Sequence, residues 1–452
     1  MPKSLLARFF GVLEVFRIAL SRPSFENLVV FVFGWLQTLG PHSVTEALVN
    51  AKVAGKRHHE AFHRFFSRGR WNPDTLGLWL FHALKRFVGD GTLYAVIDDT
   101  LAPKKGMHIF GMGTHPDPVR STRIMKAFCF GHCWVVLAVV LRIPLSKRTW
   151  ALPLLFRLYR TKKETANDVD AYDKKTELAR ELIEVFASWV GSRRVDLAVD
   201  AAYCCDTVIR GLPSNFVLVG AMRLDAALSS LPLPRQPGTR GRPKKCGERL
   251  PKPEKIAQDP HHQWRHTTLA LYSGREVKLK YKSFVAQWYR ACGERPLRIV
   301  IVKLERGQLP LRVFLCTDPD ADPVHVLQAY AGRWGIEVFF REAKQLLGFA
   351  DSSARLEAAV RHIAPLIGLL YSVLVLWYLD CPSTPFLRLI PHRPWYRHKE
   401  GICFEDILRA ARAALSRVNI LDLLSRSDNL QNPLPNARSP ANQQRPSRRL
   451  AA

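Results

Sequence analysis

The sequence predicts an α/β protein with helical regions at both ends and a β-rich stretch set into its second half. Three strand-like runs are followed by a helix-compatible segment and then a short apolar run ending in aspartate, an order that alternates strand with helix. A second block, from Leu212 to Asp322, alternates apolar and polar residues as strands do, and helical spacing dominates before and after these blocks. The composition shifts divide the chain into a helical region over 1–90, a first core segment over 91–211 and a β-rich insertion over 212–322. A second core segment over 323–380, a helical region over 381–424 and a disordered tail over 425–452 complete it.

The first region reads as helices from Ser4 to Val88, with breaks at Pro23, at Gly40 and Pro41, and at Asn72 and Pro73. Within it, "GKRHHEAFHRFFSRGRW" sets Lys56, Arg57, His58, His59, His63, Arg64, Arg68 and Arg70 among aromatics, a pattern that suits contact with DNA or with a second subunit. The core then opens on "TLYAVIDDT", "CWVVLAVVLRIPL" and "TWALPLLFRLYR", continues through a polar helix within Glu164 to Val190, and reaches "RVDLAVDAAY". Between the strands of the β-rich block lies "PRQPGTRGRPKKCGERLPKPEK", whose Arg240, Arg242, Lys244 and Lys245 can bind phosphates or simply be solvated. Helices resume at Val324. The most apolar window, Ile363 to Asp380, approaches the length of a membrane span, but Pro365 and Gly368 inside it point to a buried core helix.

Sixty-seven Lys and Arg against 39 Asp and Glu give a formal charge of +28 and a pI near 10.1. Such an excess asks for a polyanionic partner, nucleic acid first. No basic amphipathic helix or lipidation signal supports a membrane surface instead. Nine scattered cysteines fit a reducing cytoplasm, and Cys129 and Cys133 beside His132 lack a second ligand pair at zinc spacing.

Three acids stand out. "AVIDDT" ends in Asp98 and Asp99, and "LAVDAAY" carries Asp200 at the end of its apolar run. A carboxylate at the end of a buried strand needs a compensating cation or hydrogen bonds, which makes a metal site plausible. Successive strand residues face opposite ways, so Asp98 and Asp99 cannot share one site, and the pattern alone does not choose between them. The third acid lies in "AYAGRWGIEVFFREAK", read as one helix. At about 100° per residue, Tyr330, Arg333, Glu337 and Lys344 share an arc of about 60°, which Arg341 joins. Pairing of Glu337 with Arg333 and Arg341 accounts for the charges, at a few tenths of a kcal/mol per pair, roughly. It does not account for Tyr330, nor for Gly332 and Gly335, which imply close approach of nucleic acid or of a packed strand.

Tyr330, Arg333, Glu337 and Lys344 spell Y-x2-R-x3-E-x6-K, which resembles the signature around the last catalytic acid of DDE transposases from bacterial insertion sequences. "DDT" followed by "PKKG", then "VRSTR", "VDAAY" and "GRPKKCGERL", also resembles the transposase-type DDE superfamily endonucleases, over roughly residues 55 to 410. The resemblance implies a ribonuclease H-like core whose first strand, fourth strand and late helix gather two aspartates and a glutamate. By likeness to family members with an acid-Asp-Thr motif, the first acid maps onto Asp99, with Asp98 the alternative, the second onto Asp200 and the third onto Glu337. Together they imply two Mg²⁺ ions, with Mn²⁺ as a substitute, bridged by Asp99. The resemblance also makes Tyr330, Arg333, Arg341 and Lys344 grips on DNA, and Trp288 a stacking platform for an unpaired base. The implied activity is Mg-dependent cleavage and strand transfer at terminal inverted repeats, by a homodimer on two DNA ends. The alternatives are an endonuclease without strand transfer and a non-catalytic DNA-binding relic.

Overall fold

The computed structural model describes residues 4–427 except 107, 118–119, 123, 166–171, 235–241, 272–273, 307–309, 382–385, 389–393, 396–400 and 417. Arg240 and the expected tail from residue 428 onward lie outside the described residues. The N-terminal region forms α1 (Leu5–Leu13), α2 (Arg22–Gln37), α3 (Val44–Asn50), α4 (His59–Ser67) and α5 (Pro73–Leu84). Side-chain caps start several of these helices: Ser4 accepts from Ala7 N, Ser43 from Glu46 N and Asn72 from Asp74 N, each satisfying an amide the first turn leaves unpaired.

The centre of the molecule is a mixed sheet. It begins with β1 (Leu93–Pro103), β2 (Gly113–Pro116), β3 (Phe128–Arg142) and β4 (Thr149–Tyr159), then α6 (Lys175–Val190), β5 (Val195–Val199), α7 (Asp206–Ile209) and β6 (Phe216–Met222). β3 runs antiparallel to both β1 and β4, while β5 lies parallel to β1 and β6 parallel to β5. The spatial order β4-β3-β1-β5-β6 is the ribonuclease H-like arrangement. β5 is buried along its whole length, as a parallel strand covered on both faces must be.

The chain continues through α8 (Pro253–Gln258), β7 (Arg265–Leu271), β8 (Arg275–Gln287), α9 (Tyr289–Cys292), β9 (Pro296–Leu304) and β10 (Arg312–Cys316). These strands extend the same sheet in the order β6-β10-β9-β8-β7. The stretch expected as an insertion from residue 212 thus opens with a core strand, and its later strands continue the sheet from that strand through β10. Alternation identifies a strand but carries no record of its distant partner, so the sequence does not place this seam.

Next come α10 (Pro323–Gly332), α11 (Trp334–Leu346) and α12 (Glu357–Asp380), followed by helices Phe404–Leu415 and Ile420–Ser427. α10 covers one face of the extended sheet, where Val326 and Leu327 pack with Val219, Leu279, Val300 and Phe314. α12 is the one helix among the described residues long and apolar enough to cross a membrane, and 94% of its most apolar window is buried inside the protein. It is a core helix. Gly368 lets it lie against β4, because a Cβ there would stand 2.2 Å from the Phe156 ring.

Candidate active site

β1 is fully buried from Ala95 to Ile97 and half-surfaces at Asp98 and Asp99, where pleating turns the two carboxylates to opposite faces. Asp98 Oδ2 accepts from Arg333 Nη1 at 2.6 Å, and Asp98 Oδ1 accepts from the Asp99 amide at 2.8 Å. The other guanidinium nitrogen of Arg333, Nη2, donates to Glu337 Oε1 one turn along the helix. Arg333 therefore bridges an acid on β1 and an acid on α11. Asp200, directly after β5, completes the group: its charge acts on Asp98, Arg333 and Tyr330. Burial pushes the Asp98 carboxyl up to about 7, against the pull of Arg333, and the charges of Asp99 and Asp200 push the same way.

Asp99 serves the other face. Its carboxylate accepts from Lys175 Nζ on α6 at 2.6 Å, from Tyr203 Oη at 2.8 Å and from the Cys133 thiol at 3.4 Å. Burial, then the Asp99 charge, push that thiol up to about 12, so it remains a neutral donor. The expectation grouped Asp99 with Asp200 and Glu337; the carboxylate that shares Arg333 with Glu337 here is that of Asp98, the alternative. Asp98 faces the helix that carries Glu337, and Asp99 faces α6.

The stretch read as one helix divides at Arg333, the C-cap of α10 and the N-cap of α11. Arg333 N bonds Tyr330 O and Ile336 N bonds Arg333 O, both tightened i to i−3 contacts. Tyr330, Arg333 and Glu337 still meet: the Arg333 guanidinium lies 5.4 Å from the centre of the Tyr330 ring, which rests against Phe314 at 4.3 Å. Arg341 is exposed further along α11, and Lys344 is half-buried with its charge disfavoured by burial. Trp288 is not brought to the acids. It is half-buried against the core beyond Gln287, which pairs with Pro296 at the end of the sheet away from them.

Two features set the rotation of α11, and the sequence reading missed the first of them. Glu342 is buried and accepts from Arg148 Nη2 at 2.9 Å and from Tyr371 Oη at 2.9 Å, while Arg148 lies over Trp150 at 3.9 Å. This network holds the side of α11 opposite Glu337. The close approach implied by the helix glycines is made by β4: a Cβ on Gly335 would stand 3.1 Å from Ala151 N and 3.3 Å from Thr149 O. Gly332 has only an ordinary contact, with Val140 at 3.7 Å. A buried acid five residues past Glu337 was the available signal for the network, but its partners, Arg148 and Tyr371, lie far away in the chain.

Asp98, Asp200 and Glu337 offer the hard oxygens that divalent cations favour. Among the described residues no three His, Cys, Asp or Glu side chains stand close enough to enclose an ion, and Arg333 already places a positive charge between two of the acids. The donor set suits a divalent cation that takes over the place of the guanidinium.

A family model described as DDE superfamily endonuclease matches residues 15–280, a span that includes Asp98 and Asp200 and ends before Glu337. No curated protein matches the chain. Among solved structures, the chain is similar to the cryo-EM structure of a piggyBac transposase synaptic complex with hairpin DNA. The identity is 10% and the TM-score 0.43, over 98% of this chain and 85% of that one.

Proposed function

The chain belongs to the DDE superfamily endonucleases, and from that premise we propose that it is a DNA transposase. It cleaves DNA at the terminal inverted repeats of its own insertion sequence and transfers the cut strand, working in the cytoplasm as a homodimer on two ends. The observation that carries this reading is Arg333, which ties Asp98 on β1 to Glu337 on α11 beside Asp200. Asp98, Asp200 and Glu337 would hold two divalent ions, Mg²⁺ with Mn²⁺ as a substitute. When bound, such ions activate the attacking oxygen and stabilise the leaving one in an in-line displacement.

The protein's own groups do the rest. Arg333, freed from the acids, presents a planar fork that grips a phosphate through two parallel hydrogen bonds. Tyr330 holds the guanidinium from one side, and Lys344 adds a point charge further along α11. The surplus of 67 basic over 39 acidic residues supplies a general attraction for the DNA backbone.

A donor plasmid carrying the element's ends tests the reading. Excision with integration is expected in Mg²⁺, and loss of both in Asp98→Asn. Cleavage without joining would make the protein an endonuclease that lacks strand transfer, and DNA binding without cleavage would make it a regulator.

A further inference from the structure

A cavity of about 360 Å³ lies near the start of β1, on the face of the sheet that also carries Asp98. The register builds its floor: Tyr94 on β1 pairs with Val140 on β3 and with Asp196 on β5, and paired residues of neighbouring strands share a face. α10 forms the roof through His325, Gln328, Ala329 and Gly332, which recur at the spacing of one helix face. The adjoining face of α10, with Val326 and Leu327, is the one packed on the sheet. Ala329 and Gly332 bring little bulk to the cavity side, and a Cβ on Gly332 would meet only Val140, at 3.7 Å. Phe87 and Val88, just before β1, line it as well. The space is large enough for a ligand, whose pockets run from roughly 300 to 1,000 Å³.

The polar groups select the ligand's charge. Asp196 is 3% exposed and both its oxygens are engaged: Oδ1 accepts from Arg194 Nε at 3.1 Å and Oδ2 from His325 Nε2 at 2.6 Å. That carboxylate is satisfied within the protein and offers nothing to a cation. Tyr94, Arg142 and Gln328 also line the cavity, and their side chains have no hydrogen-bond or ion-pair partner among the described residues. Arg142 lies two residues beyond Val140 on β3 and so shares the face of the floor. Burial, then the Asp196 charge, push the Tyr94 hydroxyl up, and the charge of Arg142 acts against them, so the two side chains are within electrostatic reach. Apolar walls with unpaired donors and one unpaired cation suit an organic anion.

The cavity is separate from the acids. Tyr94 and Asp98 stand four residues apart on one strand, about 13 Å, and Val96 between them is fully buried. Asp98, Arg333 and Glu337 do not line it. We propose that this cavity binds a small organic anion, whose carboxylate or phosphate head pairs with Arg142 and whose apolar body lies between Val140 and Ala329. The proposal does not depend on the transposase reading, since none of the acids takes part.

The test is isothermal titration of the full chain, without metal or DNA, with naphthoate, with adenosine monophosphate and with inorganic phosphate. At least one of the two organic anions should bind one-to-one. Arg142→Gln should weaken that binding by about 10–100-fold, the worth of one charge-assisted hydrogen bond. Ala329→Phe fills the cavity and should abolish it. Arg142 is exposed, so its variant answers the question even where Ala329→Phe folds poorly. Saturation by naphthoate alone assigns a carboxylate head, and saturation by adenosine monophosphate alone assigns a phosphate. The proposal is overturned where neither saturates below about 1 mM, a binding free energy of about 4 kcal/mol. It is equally overturned where both variants bind as the native protein does, or where inorganic phosphate binds as tightly as adenosine monophosphate. A protein that never cuts DNA would sink the transposase reading and leave these titrations unchanged.

Discussion

Exchanging each of the paired aspartates for asparagine should give opposite outcomes. Asp98 has an ordinary value of 3.8 and stands at about 7 in the fold. The folded value is the higher, so the native state keeps a proton the unfolded chain has released, and stability falls as pH rises from 3.8 through 7. At 1.36 kcal/mol per unit, the fall is about 4 kcal/mol. Asp98→Asn has no such slope, so between about pH 4 and pH 8 its stability should gain about 4 kcal/mol on that of the native protein. Metal-dependent nicking should disappear with the ligand. Asp99→Asn removes the charge opposite Lys175 and weakens the acceptor for Tyr203, costing about 1–3 kcal/mol, while nicking persists. Denaturant midpoints across the pH range, with nicking of supercoiled plasmid in Mg²⁺, measure both arms. A folded but inactive Asp99→Asn beside an active Asp98→Asn would refute the assignment of the two faces.

Gly335→Ala sets a Cβ against the backbone of β4 and should cost about 1–3 kcal/mol by overpacking, while tilting Glu337 away from Asp98; the denaturant midpoint and nicking rate should fall together. Glu342→Leu leaves Arg148 buried without its partner and should lower stability by about 3–5 kcal/mol, whereas the joint change of Glu342→Leu with Arg148→Met should recover much of the loss. His325 donates from Nε2 to buried Asp196 at 2.6 Å, and this bond holds its pKa above the ordinary 6.5. Its stabilisation is complete below 6.5 and is lost as pH rises through the folded value, so melting temperature should decline across that window in the native protein and stay flat in His325→Gln.

The acids themselves were legible because apolar runs that end in carboxylates are rare and because the spacing around Glu337 is distinctive. Which aspartate joins them was not. Pleating separates Asp98 from Asp99, but only the positions of α6 and α11 on opposite sides of β1 decide which face is which, and that is a tertiary fact. The division of the long helix at Arg333 was hidden because Gly332 and Gly335, the residues that weaken a helix there, were read as places of close approach instead. The shared face of the β8 lysines did leave a trace, since "VKLKYK" places Lys278, Lys280 and Lys282 at every second position. That Lys280, Lys282 and Lys303 converge on Trp264 required the pairing of β8 with β9. Gly335 announced a close approach and left its partner, β4, unnamed.

The position of α12 in the chain has a consequence for how the protein is made. The elements it packs against, α1, α4, α5 and β4, all precede it, and only helix Phe404–Leu415 among its larger neighbours follows. Synthesis runs from the N-terminus at about 5–20 residues per second, and domains begin folding as they emerge. When this greasy segment leaves the ribosome, most of the surface that will cover it has therefore already been translated. Deleting the first five helices would remove three of those four partners, delivering a membrane-like stretch into water with only β4 waiting for it.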